Sequence, residues 1–174
     1  DPDEQQAEIK YITKFVLQFI NENDDFNNEI IDILIFLSKN SFYAMNESFD
    51  ILKTKVPEKL KDNEFISDVF SNDFYNKKWE LIEEFSDFAL NEKTNEEISS
   101  IFEKSKIVDR LNDKMNAFVF ESESDDSHIE NTQQIESIVL PYKLLNKYDV
   151  HFTKDKNSII TIIDKNSNLA NKSK

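Results

Sequence analysis

The only imidazoles in the chain belong to His128 and His151, and a hydrolytic triad would need one of them beside a nucleophile and an orienting acid. No Ser or Thr sits on a Gly-rich elbow, because the sequence contains no glycine. His128 borders an acidic run and His151 falls in a β-prone stretch, so both read as ordinary surface or strand residues. Neither belongs to a His-Glu-x-x-His zinc pattern or a Glu-x-x-His di-iron pattern. The lack of glycine also removes Walker-type and dinucleotide-type loops, whose backbone must approach phosphate without an intervening Cβ. An EF-hand fails on the same ground. With no cysteine there is no disulfide and no thiolate metal site. Glu83-Glu84 and Asp125-Asp126 are carboxylate pairs of the kind acid–base catalysis uses, yet a chain with 35 acidic residues produces such neighbours by composition alone. No catalytic residue, cofactor or metal is expected, and the chain reads as non-enzymatic.

Other residues are suited to holding a partner. A long helix is predicted from Asn72 or Asp73 to about Asn91, with Phe74, Leu81, Ile82, Phe85, Phe88 and Ala89 as its buried stripe. Trp79 and Leu90 lie roughly 100° or more from that stripe and are expected at its rim or in solvent. Because Trp and Tyr are enriched in binding hot spots, Tyr75, Trp79 and Leu90 form the expected contact patch. The alternative is that a neighbouring helix covers them. Farther on, Val150-His151-Phe152-Thr153 and Ser158 to Asp164 read as two short strands around a Lys-Asp-Lys-Asn turn. The second offers Ile159, Thr161 and Ile163 to one face and Ile160 and Ile162 to the other. A two-stranded hairpin cannot cover both, so this strand either packs under helices or pairs with another chain, which is a route to a homo-oligomer. Ser122, Ser124 and Ser127 lie among acids in a pattern that suits an acidophilic kinase, and a phosphate there would extend the loop by repulsion. Chance patterning explains those serines equally well.

Charge narrows the partner. The formal net charge is −14, so direct binding to nucleic acid or to an anionic membrane would meet long-range repulsion. Another protein, with a basic surface as one option, is the expected partner. No uninterrupted apolar run is long enough to span a bilayer, and the densest, Ile30 to Leu37, is broken by Asp32. Membrane insertion is therefore not expected. Asn46-Glu47-Ser48 and Asn171-Lys172-Ser173 match the glycosylation sequon, as Asn-rich chains do by chance. The chain starts at Asp1 rather than Met, which reads as an excised domain or a processed product. Cytoplasm or nucleus is the preferred compartment, with secretion or surface display as the alternative. Three functions fit: an adaptor or scaffold module docking a protein through an aromatic helix edge or the C-terminal strand; an acidic decoy or chaperone for a basic nucleic-acid-binding protein; and a secreted or surface-displayed binding protein.

The elements that would position these residues are mainly helical. Fifteen Phe residues and a 39% apolar fraction supply a core, and a lone Arg (Arg110) with abundant Lys, Asn and Ile reflects an AT-rich genome. Without glycine, Asn is expected at positions needing positive φ. Apolar residues at helical spacing predict a helix from about Gln6 to Asn21 through Ile9, Ile12, Phe15, Val16, Phe19 and Ile20. Glu29 to Lys39 is apolar on nearly every face, as expected of a central helix packed on all sides, with Asn27 or Asn28 as its cap and a buried strand as the rival. Ser41 to Val56 is bounded by Pro57, and short helices are expected near Pro57 to Lys61 and Phe65 to Phe70. Thr94-Asn95-Glu96-Glu97 has capping-box spacing and opens a helix carrying Ile98, Ile101 and Phe102, with a continuation or partner through Ile107 to Val119. Residues 121–128 read as an acidic loop or linker, and Ile129 to Leu140 as a helix ended by Pro141. The expected fold is all-α in the main, a helical bundle or short array of helical hairpins of about six to eight helices, with a small C-terminal β-hairpin. Residues 1–120 form its helical domain, 129–164 a helix plus hairpin packed on that body, and 165–174 a disordered tail.

Overall fold

The computed structural model describes residues 1–23, 26–72, 79–117 and 137–148. Within them the chain is helical: α1 (Pro2–Asn23), α2 (Asn28–Asn40), α3 (Phe42–Lys55), α4 (Pro57–Leu60), α5 (Asn63–Phe70), α6 (Trp79–Ala89), α7 (Asn95–Ser105), α8 (Ile107–Ala117) and α9 (137–147). The acidic linker, both predicted strands and the tail lie outside the described residues.

Local chemistry sets most boundaries. The Asn27 side chain accepts from the Ile30 N–H at 3.0 Å and starts α2, which settles the choice between helix and strand for that apolar run. Ser41 alone separates α2 from α3; its extended backbone ends one helix and its hydroxyl accepts from the Ala44 N–H to start the next. Asp62 caps α5 in the same way. The Thr94 hydroxyl accepts from the Glu97 N–H at 3.2 Å while the Glu97 carboxylate accepts from the Thr94 N–H at 2.9 Å, so the predicted box is formed. The hydrogen bond from the Thr94 backbone, then that from Asn63, holds the Glu97 carboxyl below its ordinary range.

Two expectations are corrected by the backbone. Positive φ is taken not by Asn but by Glu92 (φ 68°) and Lys106 (φ 56°) among the described residues. Lys106 is the left-handed break between α7 and α8, so Ile107 starts a separate helix. Proline 141 does not end a helix either: α9 runs through it, with Ile138, Leu144 and Leu145 buried on either side and Pro141 buried itself. Proline removes one hydrogen bond and crowds the preceding turn, at about 3 kcal/mol; burying three aliphatic side chains at roughly 1.5–3 kcal/mol each outweighs it.

The core is a chain of aromatic rings. Phe85 of α6 meets Phe49 of α3 edge-on at 6.1 Å, Phe65 of α5 at 6.2 Å and Phe70 of α5 at 6.0 Å. Phe70 continues to Phe102 of α7 at 5.6 Å, and Phe102 to Tyr148 after α9 at 6.2 Å. Edge-on and tilted geometries set the positive ring edge against a negative face and add about 0.5–1.5 kcal/mol per pair to burial. Where helices cross, serine and alanine take the place glycine would have: Ser38 of α2 and Ala44 and Ser48 of α3 are wholly buried. Lys147 of α9 pairs with Asp87 of α6, and that bond holds the Lys147 ammonium above its usual range.

Candidate protein-docking surface

The long-helix patch is not where the described aromatic surface lies. Leu90 is only 3% exposed, against the expected rim position. It follows the last residue of α6, its N–H bonds the Ser86 carbonyl, and its side chain joins the core, because α6 is enclosed on more than one side. Phe88 is partly buried and roofed by the ammonium groups of Lys53 and Lys61, 5.3 and 4.9 Å from its ring centre. Trp79 is the first residue of α6, and Tyr75 lies outside the described residues. So do Ile160, Ile162, Ser122, Ser124, Ser127, His128 and His151.

Among the described residues the large exposed apolar side chains are on the first two helices. Tyr11 (72%), Ile12 (42%), Phe15 (61%) and Phe19 (37%) of α1 and Ile33 (43%) and Phe36 (61%) of α2 are open to solvent. The expectation that α2 is packed on all sides is thereby corrected: Ile30, Ile31, Leu34 and Leu37 are buried, whereas Ile33 and Phe36 are not. On α1 the single predicted stripe divides. Thr13, Val16 and Ile20 turn inward, and Ile12, Phe15 and Phe19 lie on a second stripe about 100° away at 100° per residue.

Helical projection sets these two open stripes on the same side of the α1–α2 pair. The link between α1 and α2 is short and the helices pack on each other, so α2 folds back along α1. Lys10 of α1 reaches over the ring of Tyr43 at the start of α3, 5.5 Å from its centre, which fixes the flank of α1 that meets α3. With right-handed helices, the other flank, carrying Ile12 and Phe19, then lies beside α2. In the same projection Ile33 and Phe36 come up on the far edge of that seam. The result is a shallow apolar shoulder along α1 and α2.

Acids accompany it. Helical projection places Glu4, Glu8 and Glu22 of α1 and Glu29 and Asp32 of α2 along or beside the shoulder, and all are exposed. Lys10 and Lys14 lie on the α3 flank. Lys39, at the end of α2, is paired with Asp68 of α5 at 3.5 Å.

Nothing among the described residues adds a reactive group to this surface. No cluster of His, Asp and Glu there could hold a metal ion, and no described helix is long and apolar enough to cross a membrane. A crevice lined by Phe42, Met45, Val69, Phe70, Leu81, Ile82 and Phe85 is wholly apolar. Apolar periodicity in the sequence found the side chains of the shoulder; what it lacked was the number of neighbours each helix has. No protein-family model, curated protein or solved structure matches the chain.

Proposed function

We propose that the chain is a non-enzymatic protein-interaction module, an adaptor or scaffold domain, that docks a partner protein through the apolar shoulder of α1 and α2. The observation that carries this reading is that Phe15 and Phe36, on two packed neighbouring helices, each leave 61% of their surface in solvent. Burying rings of this size is worth roughly 1.5–3 kcal/mol each, so a cluster of them left open is a standing drive toward association. Of the edge expected at Tyr75, Trp79 and Leu90, Leu90 is buried, and the proposed surface is the shoulder of α1 and α2. The C-terminal segment with Ile160 and Ile162 is a second proposed contact, through which copies of the chain would pair.

The test is capture of partners from the native cell extract by the wild-type chain and by a Phe15→Ser, Phe36→Ser variant. Both positions are exposed, so the variant should keep its helical circular dichroism. The module reading expects a protein retained by the wild type and lost by the variant. An acidic decoy for the basic face of a nucleic-acid-binding protein needs charge alone, and it expects retention unchanged by loss of the two rings. Unchanged retention therefore removes the shoulder from the account.

A further inference from the structure

We propose that the occupant of the α1–α2 shoulder is an amphipathic helix of a partner protein, its apolar seam seated along α1 and α2 and its flanks carrying lysine or arginine. This inference rests on the docking reading above and adds the chemistry of the partner. Two antiparallel helices side by side leave a shallow groove, and a third helix fills such a groove by laying its i, i+3, i+4 and i+7 side chains between theirs. An extended strand would not fit as well, because the shoulder offers no open backbone to pair with.

Size sets the length of the occupant. Taking about 200 Å² for a fully exposed side chain of this kind, the open fractions of Tyr11, Ile12, Phe15, Phe19, Ile33 and Phe36 leave on the order of 600 Å² of apolar surface. With its polar rim the patch approaches the roughly 800 Å² per partner that a stable interface buries. The exposed apolar residues of α1 run from Tyr11 to Phe19, about 12 Å at 1.5 Å per residue, and the acids beyond them extend the span from Glu4 to Glu22 to about 27 Å, the length of a helix of roughly 18 residues.

Charge selects among helices of that length. Glu4, Glu8 and Glu22 on one helix and Glu29 and Asp32 on the other line the apolar strip, while Lys39 is engaged by Asp68, Lys10 lies over Tyr43 and Lys14 stands on the α3 flank. A helix with basic flanks meets attraction from both α1 and α2. A second copy of this chain, docking the same shoulder, would bring acid against acid on both helices, and like charges brought together at an interface oppose the pairing. The rim therefore favours a basic helix over self-association.

The probes are labelled 18-residue peptides titrated with the full chain and read by fluorescence anisotropy. One has a leucine seam and lysine flanks, one the same seam with glutamate flanks, and one the lysine composition scrambled so that no seam forms. The lysine-flanked peptide should bind at least about tenfold more tightly than either of the others. Phe15→Ser and Phe36→Ser should each weaken it several-fold, and its advantage over the glutamate peptide should shrink as salt shortens the Debye length from about 10 Å at 0.1 M to about 3 Å at 1 M. Equal binding by lysine-flanked and glutamate-flanked peptides, both lost in the serine variants, would leave the docking reading standing and overturn the basic-helix inference. Equal binding by the seamed and scrambled lysine peptides, unaffected by the variants, would overturn both. No binding by the lysine-flanked peptide would overturn the inference as well, whether sedimentation then finds a second copy on the shoulder or crosslinking finds residues 149–174 of the same chain there.

Discussion

The guanidinium of Arg110, on α8, donates through Nη2 to the main-chain carbonyl of Phe70, the last residue of α5. A helix end leaves its last carbonyls without intrahelical partners and carries partial negative charge, so a cation that also donates there satisfies both needs. Phe70 is in turn the ring that links Phe85 to Phe102. The single arginine of the chain thus ties α8 to the middle of the aromatic core. Arg110→Ala should lower unfolding stability by about 1.5–3 kcal/mol, the range for a hydrogen bond involving a charged group. Arg110→Lys should recover only part of it, because a single ammonium on a different stem cannot reproduce the planar fork. Urea unfolding of the two variants checks this; a neutral Arg110→Ala would show that the bond contributes nothing to the fold.

Lys106 breaks the path from α7 to α8 at φ 56°, a conformation in which a side chain crowds its own backbone. Glycine carries no such penalty. Lys106→Gly should therefore raise stability or leave it level, by up to about 1 kcal/mol once the extra freedom of the unfolded chain is counted against the gain. Lys106→Val should lower it, because β-branching worsens the clash. Thermal unfolding of the pair reads the difference, and a Val variant as stable as the Gly variant would contradict the assignment of Lys106 as a strained break.

The Glu97 cap gives a pH signature. Its carboxyl is held below the ordinary value of 4.5, first by the hydrogen bond from the Thr94 backbone. A depressed folded-state pKa means stability that is present above the unfolded value and lost as pH falls through the folded one. Wild type should accordingly be more stable than Glu97→Gln at pH 7, and the two should converge as pH falls below 4.5 and through the depressed folded-state value, where the carboxyl protonates. Paired denaturant curves across that range are the measurement; a constant gap down to pH 2 would show that the charge of Glu97 is irrelevant.

Much of the helical scaffold could be read from residue types, because its starts are local chemistry. Asn27, Ser41 and Thr94 accept from N–H groups three residues on, and each was visible as an Asn, Ser or Thr ahead of an apolar run. The location of the open surface was not visible in this way. Ile12, Phe15 and Phe19 have the same helical spacing as Val16 and Ile20, and spacing alone cannot tell which part of a wide stripe has a neighbour to cover it. The same limit made α2 look enclosed and Leu90 look exposed. Pro141 failed for the converse reason, since a local preference was overridden by burial around it.

The central claim is that another protein sits on the shoulder of α1 and α2, and the most direct measurement is photo-crosslinking from defined positions in the native cell. A benzophenone side chain at position 36 lies on the α2 side of the shoulder; one at Glu103, exposed on α7, lies away from it. The account predicts a discrete crosslinked protein from position 36, reduced by Phe15→Ser, and none of the same mass from position 103. Equal crosslinking from both positions, or none from position 36, would contradict it.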